Sequence, residues 1–136
     1  MKTKLIIAFI VLLTSAKAQD TITYINGPHG GLLKTVENYK IETINSYGCI
    51  TAYLFDVGLK AIPNKFISGT IMFFYSNGTS LNNYLIPTGS DSFTADVSNT
   101  DYYYYIIHFK INEKIISARF NNLSGIAEKE TKNNSK

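Results

Sequence analysis

The chain has no tryptophan, one cysteine, three prolines and only two histidines among its 136 residues. A lone Cys49 forbids an internal disulfide and removes Cys-pair zinc sites and dithiol redox motifs. It lies in CITAYLF, a strand-like run, where a packed structural thiol is expected. Only His29 and His108 offer an imidazole base, and no Gly-x-Ser-x-Gly elbow accompanies them. Asp91, Asp96 and Asp101 fall at or near turns, where aspartate bonds its own backbone, rather than pairing as acid and base. Gly30-Gly31 is followed by no Lys-Ser/Thr pair and opens no helix, so it is not a phosphate loop. This inventory points away from an enzyme.

Long apolar runs are also missing, apart from one near the start. Residues 1–18 carry Lys2 and Lys4, then an apolar run from Leu5 to Leu13, then Ala16-Lys17-Ala18. That is the three-part pattern of a secretory signal, with small residues where the peptidase reads. The run is shorter than the roughly 20 residues of a spanning helix, so no membrane span is expected after cleavage. Cleavage is expected after Ala18, which places the mature chain in the periplasm or outside the cell. Lys2, Lys4 and Lys17 leave with the leader, and ten basic residues then face ten acidic ones. No basic stripe remains to suggest nucleic acid.

What is abundant is short, β-branched or aromatic runs bounded by turn residues. They predict strands over 31–36, 39–44, 49–56, 67–75, 81–86, 92–97, 101–111 and 114–120. Asn77-Gly78 reads as a hairpin turn with positive φ at both central residues. YKIETI alternates, with Tyr39, Ile41 and Thr43 on one face and Lys40, Glu42 and Ile44 on the more polar other. In DYYYYIIHFKI, strict alternation sends Tyr103, Tyr105, Ile107, Phe109 and Ile111 to the core. It leaves Tyr102, Tyr104, Ile106, His108 and Lys110 outside. From Leu123 the chain is polar and without period, and a mobile tail over 123–136 is expected. The mature residues 19–122 are therefore expected to form one all-β domain. The favoured form is an immunoglobulin-like antiparallel β-sandwich of seven or eight strands, and a small β-barrel is the alternative.

One stretch stands apart from this pattern. In NGPHGG, Asn26 to Gly31, Pro28 sets a stiff lead-in to His29, and Gly30-Gly31 allow a sharp exit and close approach. Imidazole is the commonest side chain for borderline cations such as Zn²⁺ and Cu²⁺. One histidine needs further donors. Glu42 and His108, each on the more polar face of its strand, are the candidates, with Met72 as a thioether for Cu(I). The competing reading makes His29 a turn residue, His108 a half-exposed strand residue and Met72 core.

GPHGGLLKTVENYKIE resembles the start of a small periplasmic domain found in membrane-fusion subunits of heavy-metal exporters and in related stand-alone exported proteins. The blocks YLFD, SGTIMFFYSNG, LIPTGSDSF and ARF follow in similar order, so the resemblance spans loosely residues 27–120. It implies an immunoglobulin-like fold and a part in handling copper or zinc, and it bears on His29, Gly30, Gly31 and Glu42. The chain lacks the long helical hairpin of those subunits and is too short to hold one. Two functions follow as expectations. One is a metal-binding or metal-delivery accessory using His29, Glu42 and His108, working with metal-efflux components. The other is a metal-independent module that meets another envelope protein through an outer tyrosine pair, Tyr102 and Tyr104.

Overall fold

The computed structural model of the chain describes residues 25–122; the leader expected at 1–18 and the tail expected at 123–136 lie outside the described residues. The fold is all-β and antiparallel, as expected. Eight of its strands match the predicted runs: β2 (Leu32–Val36), β3 (Tyr39–Ser46), β4 (Cys49–Asp56), β5 (Ile67–Tyr75), β6 (Ser80–Thr88), β7 (Ser92–Asp96), β8 (Tyr102–Ile111) and β9 (Lys114–Asn121). A short β1 (Ile25–Asn26) precedes them, and a single 3₁₀ turn at Asn64–Phe66 leads into β5.

Hydrogen bonding orders the strands β1-β2-β3-β4-β7-β6-β5-β8-β9, nine in one curled sheet. The curl is made by β6. Its first part, Ser80–Leu85, pairs with β5, and Ile86–Thr88 pairs with β7. One strand thus belongs to two wings, which face each other across a common core as a half-barrel. Two facing layers are the sandwich element of the expectation, and the shared strand is the barrel element.

The core is built from the inward sets that alternation selects. Ile41, Ile50, Ala52 and Leu54 on one wing meet Ile71, Phe73, Ile107 and Phe109 on the other, all buried. Phe93 of β7 packs on Phe109 of β8 at a centroid distance of 4.8 Å. Polar groups also bridge the wings. The Tyr105 hydroxyl donates to Thr43 Oγ1 at 3.0 Å, and Asn45 Nδ2 donates to the Tyr102 hydroxyl at 2.7 Å.

The last contact corrects an expectation. Tyr102 is 3% exposed, so it cannot pair with Tyr104 in an outer patch. The pairing of β8 with β5 shifts at this end: Tyr104 lies opposite Phe74, but Tyr102 lies opposite the next residue, Tyr75. Tyr103 is the extra residue of this irregularity, and one extra residue reverses the phase of everything before it. Beyond the shift, Tyr105, Ile107 and Phe109 point inward as alternation requires.

Candidate functional site

The NGPHGG stretch links β1 to β2 as a tight turn. Gly30 N–H donates to Gly27 C=O at 3.0 Å, and Gly27 N–H donates to Gly31 C=O at 2.8 Å. Pro28 therefore occupies the second position of a four-residue turn, where its fixed φ suits it. Gly30 has φ +81°, a conformation that side chains rarely adopt.

The turn folds over the outer face of β3 and β4 and closes on Glu42. In register, Glu42 sits between Leu33 of β2 and Tyr53 of β4. It is 0% exposed, although its face of β3 carries Lys40 and reads as polar. The covering loop removes it from water. Its carboxylate is fully engaged: Oε1 accepts the backbone N–H groups of His29 at 2.8 Å and Gly31 at 2.9 Å. Oε2 accepts from His29 Nδ1 at 2.8 Å. A carboxylate can only accept, so Nδ1 carries the hydrogen of this bond and Nε2 is the ring nitrogen left outside it.

The space around Glu42 is closed by the absence of side chains. A methyl group on Gly27 would lie 2.3 Å from Glu42 Cδ, and one on Gly31 would lie 2.4 Å from the Thr43 carbonyl oxygen. The imidazole stacks on Tyr53, with centroids 3.8 Å apart and planes 11° from parallel, and Phe55 lies further along at 6.0 Å. Its side chain remains 38% exposed. Burial, then the charges of Asp91 and Glu42, raise the pKa of the Tyr53 phenol, so the stacking partner stays neutral.

His29, Gly30, Gly31 and Glu42 are thus brought into one unit. His108 is not part of it. It lies on the outer face of the other wing, opposite Thr70 of β5, and its Nδ1 is 2.6 Å from Ser117 Oγ of β9. Met72 is half-buried on β5 between Asn82 and Ile106. Cys49 is half-buried at the start of β4, opposite Ser46. Among the described residues no group of three or more His, Cys, Asp or Glu side chains gathers. The residues present therefore fit one oriented imidazole donor and the carboxylate that holds it. They do not fit a closed coordination sphere.

Two participants escaped the sequence reading. Gly27 makes room for the carboxylate, and Tyr53 supplies the stacking surface. Tyr53 was within reach of register reasoning. A two-residue turn at Tyr47-Gly48 fixes Ser46 opposite Cys49, and counting back from there places Tyr53 opposite Glu42. Gly27 carried no signal, because its neighbour is distant in sequence.

No family model matches the chain, and neither a curated protein nor a solved structure matches it.

Proposed function

We propose that this chain is an exported, non-catalytic envelope accessory that binds a transition-metal cation, copper or zinc, transiently through His29, in connection with metal efflux. The observation that carries the reading is the Glu42–His29 pairing. Metal-binding histidines almost always donate their second ring N–H to a carboxylate or carbonyl, which fixes the ring and raises the basicity of the other nitrogen. Oε2 of Glu42 stands in that relation to Nδ1, and Nε2 is the donor left for a cation. With one donor, the remaining ligands come from water or from a partner that gives or takes the metal, so binding is weak and exchange is fast.

Calorimetric titration with Cu²⁺ and Zn²⁺ tests this. Binding is expected for the wild type and lost in His29→Ala. Glu42→Gln is expected to weaken it about tenfold or more with the strand signal retained. Affinity unchanged in His29→Ala removes this site from metal handling.

A second reading is a metal-independent interaction module. On the outer face of the β5–β8–β9 wing, the Phe74 ring stacks on Tyr104 at 4.5 Å, and the Arg119 guanidinium lies 3.7 Å above Tyr104. Aromatic rings and arginine are the residues most enriched in interface hot spots. Capture of an envelope protein without metal, lost in a Tyr104→Ala, Arg119→Ala double variant, favours this reading over the first.

A further inference from the structure

We infer that the outer face of the β5–β8–β9 wing docks an acidic peptide segment of a partner protein, an inference that rests on the interaction-module reading and names the chemistry of its partner. Along β8, Tyr104, Ile106, His108 and Lys110 alternate with the buried Tyr105, Ile107 and Phe109, and so face outward. The pairings set Met72 of β5 on one side of Ile106 and Arg119 of β9 on the other. Among the described residues, no outward position of these three strands carries Asp or Glu. The acids nearest in the chain, Asp101 and Glu113, lie beyond the two ends of β8, and Asp101 already accepts the Ser76 hydroxyl at 2.7 Å. Neither Arg119 nor Lys110 meets a carboxylate among the described residues. Burial, then the charge of Arg119, lower the pKa of Lys34 on the adjoining edge strand, as an uncompensated guanidinium nearby requires.

The stack around Tyr104 decides the class of partner. Phe74 stacks on the ring with centroids 4.5 Å apart and planes 19° from parallel, and the Arg119 guanidinium lies 3.7 Å from its centre. Phe74 comes from β5 and Arg119 from β9, on opposite sides of β8, so both faces of the tyrosine are covered. A nucleobase or a sugar ring needs an open aromatic face, and this ring has none to offer. What the stack presents is the edge of the guanidinium. Nε donates to Asn121 Oδ1 at 3.4 Å, and no described residue takes the two terminal nitrogens of this exposed side chain. A guanidinium held flat on a ring is oriented before its partner arrives, and its paired N–H groups match the two oxygens of a carboxylate. Arg119 stands beside Ile106, and Lys110 lies four residues further along β8. At 3.4 Å per residue the two cations sit about 14 Å apart, so carboxylates at positions i and i+4 of an extended segment reach both. Met72 and Ile106, both half-buried, add apolar surface, and methionine adapts its shape to what it meets. Complementary charge then fixes the register of the docked segment.

Titration of the ¹⁵N-labelled chain, followed by its amide and arginine side-chain signals, provides the test. The probe is a short synthetic peptide with two glutamates four positions apart and leucines between them, and its control carries glutamine in place of both acids. The acidic peptide is expected to shift the Arg119 Nε signal and the amides of Ile106 and Lys110 at millimolar concentration or below. The control is expected to bind about tenfold more weakly, and the difference should shrink in about 0.5 M salt. Arg119→Gln should weaken the acidic peptide about tenfold, leave the control unchanged and keep the remaining spectrum intact. Arg119→Lys, which keeps the charge but loses the flat stack, should fall between the two. His29→Ala should bind as the wild type does. Equal binding of the glutamine control overturns the preference for acid, while a face that still docks both peptides leaves the module reading standing. The proposal is also overturned if neither peptide moves these signals, in which case the capture experiment with Tyr104 and Arg119 judges the module separately. Tighter binding of a thymidine decanucleotide or of polygalacturonate than of the acidic peptide overturns it too. So does a shift of the Arg119 Nε signal in the full-length Glu128→Gln, Glu130→Gln chain without peptide, because the chain's own carboxylates would then hold the cation.

Discussion

Glu42 is the residue on which the loop depends. It satisfies two backbone donors and one ring donor with a single buried carboxylate. Glu42→Ala would strand the His29 and Gly31 N–H groups, each at about 1–3 kcal/mol. A loss of several kcal/mol is expected in urea unfolding, and a smaller one for Glu42→Gln, which keeps an oxygen for the backbone. Gly27→Ala should also destabilise, because its methyl group and the carboxylate claim the same space. The two effects are coupled. Gly27→Ala in the Glu42→Ala background should cost measurably less than in the wild type, and strict additivity would argue against the contact. The histidine and the acid were visible as candidates from their residue types. That the acid is buried was not, because burial comes from a loop that folds back from the preceding hairpin.

Among the elements, hairpin turns fix the registers that build the site. Tyr47-Gly48 joins β3 to β4 with φ of +47° and +77°, the geometry of a two-residue turn that matches strand twist. Tyrosine is a poor choice there, since a bulky side chain at positive φ is strained, and Tyr47 is fully exposed with no packing to lose. Tyr47→Asn is expected to stabilise by about 0.5–1 kcal/mol, seen as a rise of a few degrees in the thermal midpoint. The Asn77-Gly78 turn departs from its expectation. Only Gly78 has positive φ, and Asn77 instead accepts the Thr79 N–H through its side chain at 3.0 Å. The loop runs over Ser76–Thr79, long enough for a side-chain-capped turn to replace the tighter one. The β8 irregularity at Tyr103 was equally invisible, because four consecutive tyrosines look identical to any period and only the pairing with β5 shows where one is extra.

At the level of the whole molecule, the two wings are joined by apolar packing and by two tyrosine hydroxyls that reach across the core. Burial pushes the Tyr105 phenol well above its ordinary value of 10.0, opposed in part by the bond to Thr43, and burial likewise raises Tyr102. The raised pKa means that the folded state holds these protons after the unfolded chain has released them. Stability is therefore fully present below about pH 10 and falls as pH rises beyond it toward the folded values. Denaturant midpoints are expected to be flat with respect to these groups up to that point and to drop steeply above it. Tyr105→Phe should flatten the alkaline drop while lowering neutral-pH stability by about 1 kcal/mol through the lost bond. An unchanged alkaline profile in that variant would place the titration elsewhere.

Composition and alternation alone determined that this chain forms antiparallel strands, where eight of them lie, and that Tyr105, Ile107 and Phe109 face inward, because a pleated strand shows its two faces directly in the order of its residues. Tertiary structure decided that the strands make one curled sheet through a shared β6. It also decided that Tyr102 turns inward, that His108 stands apart from His29, and that Glu42 is buried beneath its loop. Each of these depends on contacts between residues far apart in the chain, and such contacts leave no local period to read.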